Sequence, residues 1–336
     1  MMNATSFGDL AQSFLLQRRG SDLKAEMNRL NEELVSGQVS DVKSVLAGNT
    51  SYLAGIENDL RTLAGYQTAT DEAAFFTDAM QTSLDRVQSS SSGYSQDLIT
   101  SARNGTEPIL DQLSRDARNE LETIVSALNT NVGGRALFGG TATGQTPVAD
   151  VDTILGALRT AVAGSTTVDD MRTAIDTWFD SPTGFADTGY TGSATALSPM
   201  RIGEGETVSV TITADTGALR EVIKGVATAA LAEDSTLALT VEQKRDLLDR
   251  AGTDLLSDQN GLTAIRADVG AAQERIDIVA TRNSAQSTSL EYARGALLSV
   301  DPYETATKLE EVQFQLQSLY TITARMSDLS LVNFIR

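Results

Sequence analysis

Asp150 with Asp152, and Asp169 with Asp170, are closely set acids of the kind that can hold a hard cation such as Ca²⁺. They lack the spaced ligand loop and the terminal Glu of an EF-hand, so solvated charge and helix capping is the better reading. Gly133-Gly134, Gly139-Gly140 and Gly203-x-Gly205 offer the flexible backbone that phosphate loops use, but none is followed by the Lys and Ser or Thr of a strand-loop-helix unit. Asn49-Thr50-Ser51 and Asn104-Gly105-Thr106 match a glycosylation pattern, and the second reads more simply as a turn and helix cap. Trp178 and Phe179 follow Ile175 at helical spacing and suggest a small apolar core rather than a ligand platform. The chain has no His and no Cys, which removes imidazole bases, thiolate nucleophiles, zinc ligands and disulfides together. Most familiar catalytic constellations are thereby removed, and neither an enzyme nor a cofactor is expected.

The charge excludes a further class of partner. With 45 acids against 26 bases the chain carries a formal charge of -19, which repels a phosphate backbone, so no nucleic-acid binding is expected. Between Thr141 and Asp258 stand 18 acids and 8 bases, or -10 of that charge, which marks this stretch as water-facing. No apolar run reaches the 18 residues of a membrane span, and Met1 to Gly20 lacks a basic leader before an apolar run. The expectation is a chain with no membrane insertion that is exported, if at all, without a cleaved signal peptide.

Hydrophobic residues make up 41% of the chain but aromatics only 5%, a balance suited to long helices joined by small and medium side chains. Leu16, Leu23, Met27, Leu30 and Leu34 fall at heptad spacing, and Gly37 closes the pattern as a helix stop. After a loop around Gly48 and Asn49, the three-four step resumes from Leu53 through Leu63 and on through Phe76, Met80, Leu84, Val87, Tyr94 and Leu98. Ser89 to Ser92 resembles a linker in composition, yet the apolar phase crosses it, which predicts a continuing helix with a bend at Gly93. A third helix starts at Thr106 and Pro108, runs through Leu128 and ends at Gly133 and Gly134. From Leu262 to Val300 the pattern is unbroken and would span roughly 58 Å as helix. Its polar positions Asn283 and Gln286 either fix register or face water. Asp301 and Glu304 form an acidic capping box for a last helix carrying Leu309, Val312, Leu316, Leu319 and Met326.

The stretch between these helices is rich in Gly, Thr and Asp, with helical pieces near Ile154 to Val162 and Met171 to Phe179 and an alternating strand over Arg201 to Ala214. The expected fold is mainly α: an elongated antiparallel coiled-coil bundle of N- and C-terminal helices with a small β-containing inserted domain. The expected divisions are an N-terminal assembly helix over 1–45, a first bundle half over 46–140, an inserted α+β domain over 141–258, a second bundle half over 259–301 and a C-terminal assembly helix over 302–336. The outermost helices extend past the bundle and are expected to find partners in adjacent subunits.

Three stretches carry a resemblance. Leu30 to Gly37, reading Leu-Asn-Glu-Glu-Leu-Val-Ser-Gly, Gly134 to Thr141, reading Gly-Arg-Ala-Leu-Phe-Gly-Gly-Thr, and Asp301 to Ile335, with Asp-Pro-Tyr-Glu-Thr-Ala and Leu-Ser-Leu-Val-Asn-Phe-Ile, follow in order. Together they resemble the bacterial flagellin superfamily, on the side of its hook-associated members at the hook-filament junction. The acidic Asp-Asp-Pro-Ala-Gly stretch common in the superfamily is replaced by Gln38 to Ser44. The resemblance implies an extracellular structural subunit of the flagellum that connects hook to filament. Its partners would be hook-associated protein, flagellin and copies of itself in a ring or helical layer, with a flagellar export chaperone before secretion. Filament flagellin is the alternative, and a non-flagellar coiled-coil scaffold fits less well. The implied assembly residues are Leu23, Met27, Leu30, Leu34, Leu309, Val312, Leu316, Leu319, Met326, Leu331 and Phe334.

Overall fold

The computed structural model describes residues 4–42 and 50–334, with side chains described from 11 to 326 within those ranges. Eight α-helices are named among the described residues, α1 (Ala4–Ser36), α2 (Ser51–Ser101), α3 (Glu107–Leu128), α4 (Val151–Val162), α5 (Val168–Asp180), α6 (Gly217–Ala230), α7 (Val241–Leu298) and α8 (Pro302–Phe334), with a π turn over Phe185–Gly189 and a 3-10 turn over Leu231–Glu233. Two antiparallel hairpins complete the fold, β1 (Asn131–Val132) with β2 (Arg135–Ala136) and β3 (Met200–Gly203) with β4 (Glu206–Val208). The protein is therefore a mainly α bundle with a small β part, as its periodicity implies. The chain divides into two compact units, one of residues 1–64 with 285–336 and one of residues 65–284, the divisions falling within α2 and α7. The loop expected around Gly48 and Asn49 lies outside the described residues.

In the 65–284 unit, α2 and α7 run antiparallel. Gln273 donates to Asp78 at 2.6 Å, Arg266 pairs with Asp85 at 2.9 Å, and Arg103 pairs with Asp249 at 2.8 Å. Ser95 donates to the carbonyl of Gly252 at 2.8 Å, where a Cβ on Gly252 would lie 2.8 Å from the Cβ of Leu98. This close crossing explains why the serine run is helix. Ser91 and Ser95 are buried at the contact, their hydroxyls joined to Gln259 and Gly252, so small polar side chains serve where larger ones would hold the helices apart. Gly93 neither ends nor interrupts α2.

Leu98, Leu110, Leu121, Ile124 and Leu128 from α2 and α3 form one core with Ile154, Leu158, Ile175 and Phe179 from α4 and α5 and with Val222 and Val226 from α6. Ser114 of α3 donates to Ala229 at 2.8 Å and Tyr94 of α2 donates to Leu113 at 2.8 Å, which satisfies both buried hydroxyls. The stretch expected as an insert thus shares its core with the bundle, and its last part, 241–258, is the beginning of α7. Helix α3 stops at Leu128, and Gly133 and Gly134, with φ of 59° and 80°, form the two-residue turn between β1 and β2. The alternation of Val208, Val210 and Ile212 is kept in the burial pattern, but the ladder ends at Val208 because β3 offers no further residues to pair. Asn283 is buried and donates to the carbonyl of Ile202 at 2.9 Å, so it fixes β3 to α7, while Gln286 is exposed.

On α7, Asp258 sits against α6, whose Gly225 admits Leu255 and whose Ala218 meets Gly261. Burial, with repulsion from Glu221 and Asp254 and only partial relief from Lys224, pushes its carboxyl up to about 6 from an ordinary 3.8. Folding then favours the protonated form. Its stabilising contribution is complete below 3.8 and is lost as pH rises through about 6. Asp258→Asn should raise stability at pH 7 by about 1 kcal/mol, allowing for solvent screening of a half-exposed group. Thermal unfolding of the two proteins across pH should show this gain shrinking to nothing below about pH 4.

Candidate assembly interface

Helices this long are only marginally stable alone, and in the unit of residues 1–64 and 285–336 α1 finds its partner in α8 of the same chain. The pair is antiparallel. The N–H of Val39 donates to Leu298 at 2.8 Å and that of Val300 to Gly37 at 3.1 Å, while further along Leu319 packs on Gly20 and the ammonium of Lys24 lies 5.7 Å from the ring centre of Tyr320. Leu23, Leu30, Val312 and Leu319 form the buried seam, flanked by half-buried Leu16, Met27, Leu309 and Leu316. Burying each of the four central side chains contributes about 1.5–3 kcal/mol. Of the two partners open to these helices, each other or adjacent subunits, this seam uses the first, because each supplies the other's apolar stripe.

The end of α1 is fixed by hydrogen bonds at Gly37 and Glu33. Gly37, at φ 69°, lets its N–H return to the carbonyl of Glu33 at 2.9 Å. The Glu33 carboxylate accepts from the N–H of Ser40 at 3.0 Å, from its hydroxyl at 2.9 Å and from Arg29 at 3.0 Å. Burial opposes its charge, but these donors and the Arg29 guanidinium hold the carboxyl below its ordinary value. At the start of α8, Asp301 accepts from the N–H groups of Tyr303 and Glu304 at 2.8 and 3.2 Å, while the Glu304 carboxylate turns to Lys308 instead of closing the box.

Of the expected assembly residues, Leu23, Leu30, Val312 and Leu319 are buried between α1 and α8, Met27, Leu309 and Leu316 pack beside them, and Leu34 and Met326 are half-buried. Leu331 and Phe334 lie on the backbone of α8, with side chains outside the described residues. Away from the seam, each helix exposes apolar side chains on its own far side that heptad reading missed. At about 100° per residue, Phe14 stands opposite Leu23, and Tyr303 and Phe314 stand opposite Val312. All three are largely in water, at 66%, 84% and 71% exposure, and Leu15, Tyr320 and Ile322 are also exposed. Their only sequence signal was that they fall between the heptad positions, where charged residues suffice for a helix with one partner.

The small sites resolve into structure. Asp150 caps α4 by accepting from the N–H of Thr153 at 2.8 Å, and Asp170 closes a capping box with Thr167 at the start of α5. Asp152 and Asp169 pair with Arg118 and Arg250, each at 2.6 Å. Among the described residues no group of three or more acids is arranged to hold a metal ion. In the Gly134 to Thr141 stretch, Arg135 is exposed on the hairpin while Leu137 and Phe138 are buried. Gly140, at φ 58°, packs where a Cβ would collide with the carbonyls of Ser193 and Thr195, and Gly139 accepts from the N–H of Ser193 at 2.9 Å. Trp178 meets Phe179 and Phe185 edge-on at 4.9 and 6.1 Å.

Residues 255–335, which contain most of α7 and all of α8, match the bacterial flagellin C-terminal helical region. The fold is similar to that of FlgL from Bacillus cereus, at 16% identity and a TM-score of 0.53 over 72% of this chain and 99% of that one. A candidate flagellar hook-associated protein from Vibrio parahaemolyticus shows 15% identity and a TM-score of 0.49 over 75% and 99% of the two chains. No curated protein sequence matches the chain. The C-terminal part of the chain is thus similar to the flagellin C-terminal helical region, and its fold is similar to that of FlgL.

Leu30→Ala together with Val312→Ala should lower the local stability of the terminal pair by roughly 2–5 kcal/mol per site. Hydrogen exchange should show amides of α1 and α8 losing protection while those of residues 65–284 keep theirs.

Proposed function

We propose that this chain is a structural subunit that connects the flagellar hook to the filament, and that it acts by packing rather than by catalysis. The observation that carries the reading is the match of residues 255–335 to the flagellin C-terminal helical region, within which the far side of α8 leaves Tyr303 and Phe314 exposed. A pair already satisfied within its own chain has no folding reason to expose Phe14, Tyr303 and Phe314. Copies of the chain, a hook-associated protein below and flagellin above are the partners that would cover them. Heterologous stacking of such faces builds a ring or a helical layer. No helix among the described residues is long and apolar enough to cross a membrane, and the place proposed for the chain is the extracellular flagellum.

Filament flagellin is the second reading, because the matched region is one that filament subunits carry as well. The two differ in extent of assembly: a junction subunit stops after a limited layer. Immunogold labelling of isolated flagella should place the chain in one band at the hook tip, and labelling along the filament would overturn the junction reading. Phe314→Asp, at an exposed position, should leave the monomer folded by circular dichroism and leave hooks without filaments in cells that rely on it. Before export, the apolar stripe of α8 is the handle for a flagellar export chaperone. Leu316→Asp with Leu319→Asp should abolish chaperone capture in a pull-down, and unchanged capture would place the handle elsewhere.

A further inference from the structure

A groove of about 440 Å³ opens on the 65–284 unit between α2, the β1–β2 hairpin and β3. Phe75, Phe76, Leu197 and Met200 line it, and Phe75 is 65% exposed. Arg135, carried on the Gly133-Gly134 turn, lies 5.8 Å from the ring centre of Phe76, and Arg201 lies 5.9 Å from that of Tyr66. Among the described residues neither arginine has a carboxylate within ion-pair distance, although the chain carries 45 acids. Glu72 is the one acid lining the groove.

The complement lies on the same unit. On α7, Glu274, Asp277 and Ile278 occupy one face at i, i+3 and i+4, all three are exposed, and neither carboxylate has a cationic partner among the described residues. Ile278 is 60% exposed while its neighbours Ile276 and Val279 are buried, so it points away from the core, and it does not line the groove. The Asp78–Gln273 contact sets the heights: Phe75, three residues before Asp78, is level with Ile276, three after Gln273 on the antiparallel helix.

We propose that the groove receives the Ile278 face of a second copy of this chain, with Arg135 and Arg201 meeting Glu274 and Asp277 and the isoleucine entering beside Phe75. An exposed isoleucine with two unpaired carboxylates to one side of it complements an apolar groove rimmed by two arginines that lack carboxylate partners, in polarity and in charge. Because the groove as socket and Ile278 as knob are different patches at one height, the contact is heterologous and adds copies side by side. It rests on the reading of the chain as a self-assembling subunit and supplies a lateral contact in the 65–284 unit.

The absence of native cysteine makes the test direct. The full chain carrying Phe75→Cys and Ile278→Cys, oxidised with copper phenanthroline, should give a ladder of disulfide-linked dimers, trimers and higher species on a non-reducing gel. Adding Arg135→Glu and Arg201→Glu should reduce the ladder at least about tenfold, the loss expected from like charges facing across an interface. Adding Glu274→Arg and Asp277→Arg to that chain should restore it. Monomer alone, a closed dimer, or a ladder indifferent to these charges would overturn the socket. Sedimentation of the wild-type chain at the same concentration separates the failures: oligomers without a ladder remove only the socket, and a strictly monomeric wild type removes the self-assembly reading with it.

Discussion

The antiparallel crossing of α2 and α7 is the contact on which the 65–284 unit depends. Two helices of 51 and 58 residues can approach closely only where side chains are small, and Gly252 against Leu98, with Ser91 and Ser95 beside it, provides that place. Once the helices are set at this distance, each buried hydroxyl must find an acceptor, and the Ser95 bond to the Gly252 carbonyl meets that demand across the seam. The same spacing leaves room for α3 and α6, where Gly225 of α6 admits Leu255 of α7. The polar residues here carry the packing geometry, and the leucines around them supply most of the favourable burial.

Charge is organised on top of that frame. Most arginines of the 65–284 unit are spent on ion pairs between elements, as Arg118 with Asp152, Arg172 with Asp254 and Arg250 with Asp169. Such exposed pairs each contribute little to stability. Their consequence is positional: on an acidic surface the cations left without carboxylates become conspicuous, and Arg135 and Arg201 are two of them, both held over aromatic rings at the rim of one groove. The Gly134 to Thr141 stretch gains a physical role from this arrangement, since its buried Leu137 and Phe138 anchor the hairpin that presents Arg135.

The terminal pair obeys a different constraint. Its inner seam closes within one chain, which makes α1 and α8 a preformed surface rather than two loose strings awaiting a partner. The far sides of the two helices leave Phe14 of α1, and Tyr303 and Phe314 of α8, in water. Seam and far sides use different residues of the same helices, so a change in one leaves the other's surroundings intact.

Much of this was legible in the sequence because helical periodicity is local. The seam positions from Leu23 to Leu30 and from Leu309 to Leu319, the stop at Gly37, and the passage of α2 through its serine run all follow from a 3.6-residue repeat that neighbours in the chain determine. The three short stretches and the lack of His and Cys narrowed the function before any coordinates. What the repeat could not reveal was which surfaces meet. That α1 pairs with α8 of its own chain, that residues 141–258 share one core with α2 and α3, and that Asn283 reaches the carbonyl of Ile202 are matters of distance in space between residues far apart in sequence. An amphipathic pattern states that a helix has a partner, but the partner's identity depends on the complementary shape and charge that only the folded chain brings opposite it.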